Sequence, residues 1–499
     1  MIGWSAGYVT DITYVTGWYR QQSPAMIALA CLMGSVDVKL PAADDRLQVL
    51  ELGCGQGFGS MLMAASNPAW HVTAVDFNPA HIAAARTWAA EAGLTNVTFI
   101  EADLATLAED PASRQIPEAD FVTLHGVWSW VPRSVQDGIV RLLRSKVRAG
   151  GAVHISYNAL PAWGPALGMQ RVMREAGRRL AWRSDRQAEE GLVIIQSLQA
   201  AEARQLSQSP FSQSLVSRLD KMPSAYLAHE YMNEHWNPCF MADVAGALAD
   251  AKLDFVASSQ LVENFPDLLL TEPQRAVVQK FEDPIMREMI KDLCAERPLR
   301  HDVYVRGAQR IDATSRDAAL AEVRIRLNID PNDLPLEVQM PAGKAELNPD
   351  FYQPIVRAAS KGPSLIKDLL ALPEVEGRRH NPAELVGMLV GLELADLVTR
   401  PESGPGAEAM RFNSVAARRF VRSENLSRII ALASLRTGAG VATSLLDLIV
   451  LERLRTGQND MEALLRQISP VPEHEDKVRQ TLDDSVNKRM PFLRAAGVF

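Results

Sequence analysis

Three glycines alternate in Glu51-Leu-Gly53-Cys-Gly55-Gln-Gly57, and a carboxylate stands ahead of them. Glycines so spaced let a chain turn sharply out of a strand and let a ligand approach the main chain. Asp76 closes the next apolar run, where a carboxylate can accept both hydroxyls of a ribose. Glu101-Ala-Asp103-Leu104 closes a third run; Asp103 can accept from an adenine amine and Leu104 can pack on the ring face. His125-Gly126-Val127-Trp128 follows a fourth run. In an open parallel sheet these strand ends share one crevice, and its chemistry suits an adenosine.

The loop also discriminates among adenosine ligands. A dinucleotide fingerprint reads GxGxxG, with pyrophosphate at a helix N-terminus. Here the run is GxGxG, with Phe58 and Ser60 where a third spaced glycine would fall. The Glu51 carboxylate opposes a phosphate and suits an ammonium. No GxxxxGK[ST] occurs, which excludes a P-loop. S-adenosylmethionine, with an ammonium, a sulfonium and no phosphate, is the expected cofactor.

The elements needed to position these residues are present in order. Apolar runs at 46–53, 71–77, 96–103, 119–126 and 152–158 read as strands. Amphipathic stretches at 60–66, 79–93 and 135–151 read as helices, and a short helix near Pro24 precedes them. Strands alternating with helices predict an α/β fold, a Rossmann-like doubly wound sheet covered on both faces. Residues 165–220 read as largely helical. The segment 226–240, dense in aromatics and histidine, is expected to cap the crevice, and a helix and two strands follow it. Val323, Ile325 and Leu327, then Leu334, Leu336, Val338 and Met340, alternate with period two. Three helical stretches and turn-rich 401–408 come after them. The expected division is 1–164 for cofactor binding, 165–310 as an α+β middle domain, 311–414 as a winged-helix-like domain, and 415–499 as a helical C-terminal region.

These features resemble the class I S-adenosylmethionine-dependent methyltransferases over roughly residues 45–158. ELGCGQG is similar to their glycine motif, AVDF (Asp76, Phe77) to their ribose-binding segment, and EADL to their adenine-side acid. YVTDITYVTGWYRQQSPA, SYNALPAW and YLAHEYMNEHWNPCFMADV extend the resemblance to bacterial methyltransferases with a methyltransferase regulatory domain, among them rickettsial protein lysine methyltransferases acting on outer-membrane proteins. The resemblance implies a cofactor site at Tyr14, Tyr19, Glu51, Gly53, Gly55, Gly57, Asp76, Phe77, Asp103, Leu104 and His125. It implies methyl transfer by in-line displacement, to a protein lysine amine first. A small-molecule N- or O-methyltransferase and a non-catalytic cofactor sensor are the alternatives.

Methyl transfer needs alignment and exclusion of water more than a strong base. A lysine acceptor must lose its proton, which desolvation beside an aromatic wall assists. Trp128, Trp130, Tyr157 and Trp163 are the candidates for that wall, and Asn158 for orienting the amine. An NPPY motif, expected for base amino groups, is absent; HGVWSW takes its place. No metal site is expected. His229, Glu230 and His235 do not share the HExxH spacing, and the four cysteines lie far apart. The net charge of -8 argues against nucleic-acid binding, and no run reaches the ~18 apolar residues of a membrane span. A cytoplasmic setting with a protein or small-molecule acceptor as partner is the resulting expectation.

Overall fold

Val49, Leu50 and Leu52 are apolar in near succession because both faces of their strand are covered. In the computed structural model, which describes residues 7–12, 16–377, 381–420, 429–458, 460–468 and 475–499, this strand is the first of a seven-stranded sheet. The strands are β1 (Gln48–Leu52), β2 (His71–Asp76), β3 (Val97–Glu101), β4 (Ala119–Leu124), β5 (Val147–Asn158), β6 (Leu253–Ser258) and β7 (Leu299–Arg306). Their order is β3-β2-β1-β4-β5-β7-β6. β1 to β5 pair in parallel, whereas β7 is antiparallel to both β5 and β6. The chain order reverses between β1 and β4, which opens the crevice at the carboxyl ends of the strands.

The helices are α1 (Pro24–Met33), α2 (Phe58–Ser66), α3 (Pro79–Glu91) and α4 (Arg133–Lys146). α4 ends at Lys146, five residues before the sequence predicts, because β5 begins at Val147 beside Ala119. α1 is buried almost throughout. It lies between the sheet (Phe121, Ala152, Val303) and residues of the third region such as Ile325, Leu385 and Leu389.

The sheet runs across the expected boundary at 164/165. β6 and β7 complete it, because the alternating apolar residues Val303 and Val305 reach one core and Tyr304 the other. Between β5 and β6 the chain makes α5 (Leu167–Gly177), α6 (Ser184–Ala200), α7 (Arg204–Ser207), α8 (Pro210–Leu219), α9 (Ser224–Tyr231) and α10 (Met241–Ala249). α5 to α9 build a separate core around Met173, Ile195, Leu219 and Leu227, and that core takes in Val9 and Trp130.

Beyond residue 310, Arg324–Leu327 pairs with Ser364–Leu365 and Ala395–Leu397, and Glu337–Met340 forms a hairpin with Gly343–Glu346. Met410 and Phe412 lie in a helix, Ala407–Phe420. Its Phe412 and Phe420 pack on Phe58 and Trp88 of α2 and α3. The C-terminal region is not helical alone: Ile429–Ser434 and Ala439–Ser444 form an antiparallel hairpin. No helix among the described residues is long and apolar enough to cross a membrane.

Candidate active site

The glycine loop is shaped by three different demands. Gly53 and Cys54 donate to Val75 O (2.8 and 3.0 Å), which ties the loop to β2. Gly53 (φ +75°) and Gly57 (φ +73°) adopt left-handed backbone, and a Cβ on either would meet a side-chain carbon at 2.3 Å, of Val127 and Phe99 respectively. Gly55 (φ +54°) differs: a Cβ there meets nothing within 4 Å. Gly53 and Gly55 face a cavity of about 830 Å³ that opens over the carboxyl ends of the strands.

Asp76 ends β2 beside that loop. Its Oδ2 accepts from Gly55 N (2.8 Å), its Oδ1 accepts from Asn78 N (2.9 Å), and His81 Nδ1 lies 3.3 Å from Oδ1. Each oxygen keeps acceptor capacity for a ribose hydroxyl. Phe77, Asp103 and Leu104 line the cavity next to it. Leu104 is rooted in the core under the sheet, and Asp103 Oδ1 accepts from Ala105 N (2.8 Å).

His125 ends β4, and its ring stacks on Tyr19 with centroids 3.8 Å apart. Gly126 N donates to Ser156 Oγ (2.9 Å), which also lies 2.9 Å from His125 Nδ1. Burial, with His301 adding to it, holds the His125 imidazole well below its usual pKa. The ring is therefore neutral near pH 7.

Two predicted residues stand behind the loop instead of in the cavity wall. Glu51 is buried and accepts from the Ser60 hydroxyl on α2. Burial chiefly raises its carboxyl to about 7 against the opposing hydrogen bond, with Asp76 adding to the rise. Gly57 caps α2. Tyr14 lies outside the described residues. Tyr19, 40 % exposed, does line the cavity.

Of the acceptor-side candidates, Trp130, Tyr157, Asn158 and Trp163 line the cavity and Trp128 does not. Trp128 fills the core beneath, and Gln136 Nε2 donates to its carbonyl (2.9 Å). Trp163 is held edge-on by Phe211 and Trp236, and its Nε1 donates to Pro298 O (2.8 Å). Tyr157 OH donates to Asp302 Oδ2 (2.6 Å). Asn158 is 8 % exposed, and its buried Nδ2 has no hydrogen-bond partner among the described residues. Such an orphaned donor beside a cavity suits a bound ligand.

The roof comes from sequence-distant segments. α9 supplies Tyr226, His229, Glu230 and Tyr231, in the aromatic stretch expected to cap the crevice. Tyr8 comes from the N-terminal segment, its ring 5.9 Å from both Phe77 and His229. That segment is fastened to the cap: Glu234 N donates to Gly7 O (2.9 Å) and Val9 N to Asn233 Oδ1 (2.8 Å). Tyr8, Pro298 and Leu299 were not expected from sequence. The density of aromatics at 226–240 was the available signal for the cap, and no local signal marks the others.

The wall is chemically one-sided. Among the described residues it holds the carboxylates of Asp76, Glu101, Asp103 and Glu230 and no Lys or Arg. A phosphate ligand would want cations there; an adenosine bearing an ammonium and a sulfonium fits. The described residues contain no group of three or more His, Cys, Asp or Glu side chains arranged to hold a metal ion.

Comparison with known proteins agrees with this geometry. Residues 49–151 match the family model "Methyltransferase domain", and residues 223–306 match "Predicted methyltransferase regulatory domain". The uncharacterized protein sll1526 of Synechocystis sp. is 29% identical over 514 residues, covering 99% of each chain. The uncharacterized protein RP789 of Rickettsia prowazekii is 24% identical over 338 residues, 66% of this chain and 58% of the relative. PKMT2 from Rickettsia typhi shares the fold over 97% of this chain and 99% of its own, with 16% identity and a TM-score of 0.66. Its structure in complex with AdoHcy gives 14% identity and a TM-score of 0.67 at the same coverage.

Proposed function

For a chain that is a class I S-adenosylmethionine-dependent methyltransferase, we propose that the methyl acceptor is the side-chain amine of a protein lysine. The observation that carries this reading is the acidic, aromatic cavity wall without Lys or Arg among the described residues. It suits a cationic acceptor and repels an anionic metabolite. The likeness to rickettsial protein lysine methyltransferases in the cap and flanking segments, and the shared fold with PKMT2, support it.

In this reading Gly53 and Gly55 offer main chain to the cofactor. Asp76 takes the ribose hydroxyls, Phe77, Asp103 and Leu104 surround the adenine, and Tyr19 and His125 flank the remainder. Glu51 and Gly57 act from behind, by bracing the loop against α2. When bound, S-adenosylmethionine would supply an electrophilic methyl group on a sulfonium for the amine lone pair. The protein's own task is to strip and aim the amine. Desolvation between Trp130, Tyr157 and Trp163 lowers the ammonium pKa, so its proton passes to water before attack. The Asn158 side-chain carbonyl accepts from the amine and fixes it, on a backbone held by Asn158 N donating to Ser129 Oγ (2.8 Å).

α9 of the middle region roofs the site, while β6 and β7 of that region belong to the sheet; the winged-helix-like domain (311–414) and the C-terminal region (415–499) are assigned the selection of the protein substrate. A nucleic-acid role for the helix Pro382–Gly391 is disfavoured, because Leu385–Val390 are buried and Phe265 closes on Gly387. Four unpaired cysteines suit a reducing cytoplasm.

The test is incubation of the full chain with methyl-labelled S-adenosylmethionine and cell extract. Label in protein bands that survives as methyl-lysine on hydrolysis supports the reading. Label in the small-molecule fraction refutes it in favour of a metabolite acceptor, and label in neither fraction favours a sensor.

A further inference from the structure

Glu230 is the only carboxylate that the roof contributes to the cavity wall among the described residues. The other three belong to the sheet, at the ends of β2 and β3 where the adenosine is expected. Glu230 lies near the end of α9 between Tyr226 and Tyr231 in the chain, and all three line the same wall as Tyr8 and Tyr19 of the N-terminal segment. Burial first, and the Glu230 charge with it (behind Asp76 at Tyr8), pushes all four hydroxyls up, so they stay protonated. Arg218, exposed on α8, opposes that rise at Tyr226 and Tyr231.

We propose that Glu230 and the tyrosines around it form the acceptor subsite that selects a protonated amine and delivers it toward Asn158. Resting on the amine acceptor proposed above, this assigns the selection to the roof and not to the cofactor-binding sheet. A carboxylate in an aromatic wall attracts an ammonium through its charge, and the rings add their quadrupoles. It gives nothing to a neutral alcohol and repels a carboxylate or phosphate. The tyrosine hydroxyls, being neutral, add hydrogen-bond partners without adding charge. The subsite also explains why the N-terminal segment is tied to the cap: Gly7 and Val9 bind Glu234 and Asn233, which sets Tyr8 opposite α9.

The experiment uses the full chain, labelled S-adenosylmethionine and poly-L-lysine as acceptor, with Glu230→Gln, Glu230→Asp and Tyr226→Phe beside wild type. Glu230→Gln is expected to raise KM for poly-L-lysine ~10-fold with kcat within about twofold and the Kd for S-adenosylmethionine unchanged. Glu230→Asp should recover most of the KM. n-Butylamine should inhibit wild type and lose its effect on Glu230→Gln, while 1-butanol inhibits neither. Unchanged KM in Glu230→Gln, or a loss confined to S-adenosylmethionine binding, overturns the subsite and leaves the lysine reading standing. Wild type that labels neither poly-L-lysine nor any protein in extract overturns the lysine reading itself, and the subsite with it.

Discussion

The Tyr157 hydroxyl donates to Asp302 Oδ2 at 2.6 Å, so a ring in the cavity wall on β5 is fixed by a carboxylate on β7. Asp302 is in turn held by Arg300, which also binds Asp292 (2.8 Å) and Glu288 (3.0 Å). Arg297 and Lys291 complete a buried network of charges, all within the matched regulatory segment. Breaking a buried ion pair costs more than the pair contributes, because the remaining charge has no water.

Arg300→Met removes the cation bound to Asp302 and one of those bound to Asp292 and Glu288, which keep Arg297, and is expected to destabilise the chain by about 3–5 kcal/mol. Tyr157→Phe removes one donor from Asp302 and should cost about 1–2 kcal/mol. Urea unfolding followed by tryptophan fluorescence measures both. A loss below ~1 kcal/mol for Arg300→Met would mean that water reaches the network.

Gly55 and Gly57 differ in what a side chain would meet, and their alanine variants should fail differently. Gly57→Ala drives a methyl into Phe99 and should lower the thermal midpoint without cofactor present. Gly55→Ala carries only the left-handed backbone cost, about 1–2 kcal/mol, and places its methyl toward the cavity. Its main effect should appear in S-adenosylmethionine titration. Equal loss of stability in both would contradict the cavity-facing role of Gly55.

Asp76→Ala removes an acceptor for ribose and releases Gly55 N–H. Cofactor affinity should fall by roughly 1.5–3 kcal/mol, read by calorimetric titration. Retention of full affinity would move the ribose elsewhere.

A stack of three buried imidazoles makes stability sensitive to acid. His154 stands between Thr123 and His301, with His154 Nε2 3.2 Å from His301 Nδ1, and the His301 ring lies 5.5 Å from that of His125. Burial lowers all three pKa values, that of His301 to about 4 from 6.5. Between those values the unfolded chain binds more protons than the native one. Stability is thus lost as pH falls from 6.5 toward 4, by up to about 1.4 kcal/mol per pH unit for each ring. Melting curves across that window should steepen for wild type and flatten for His154→Gln.

Glu51 acts in the opposite sense. Its carboxyl rises from 4.5 to about 7 on burial, so the native state favours the protonated form. The stability this provides is full below pH 4.5 and is lost as pH rises through 7. Glu51→Gln mimics the protonated form and should gain up to about 3 kcal/mol at pH 8 and nothing at pH 4. No gain at pH 8 would place a compensating cation or water beside Glu51.

Much of the site was legible because its determinants are local. A strand, a glycine turn and a helix are specified by neighbours in the chain, so the loop at 51–57, the acid at 76 and the cluster at 101–104 could be placed at strand ends from spacing alone. Trp128 and Trp130 show the limit of that reasoning. They are two residues apart in one short turn, yet one faces the core under the sheet and the other the cavity. Glu51 shows it too: its side chain turned toward Ser60 instead of the ligand, an outcome set by how α2 packs and invisible in the motif.

Propensity, periodicity and glycine chemistry act over a few residues, so the succession of strands and helices, the glycine bend proposed to receive an adenosine and the acids that flank it can be read along the chain. Long-range packing set the rest: β6 and β7 finish the same sheet, Tyr8 meets α9 across more than two hundred residues, and Glu230 faces the cavity. Those placements arise from burial of distant apolar faces and pairing of distant backbone groups, and no stretch of neighbouring residues encodes them.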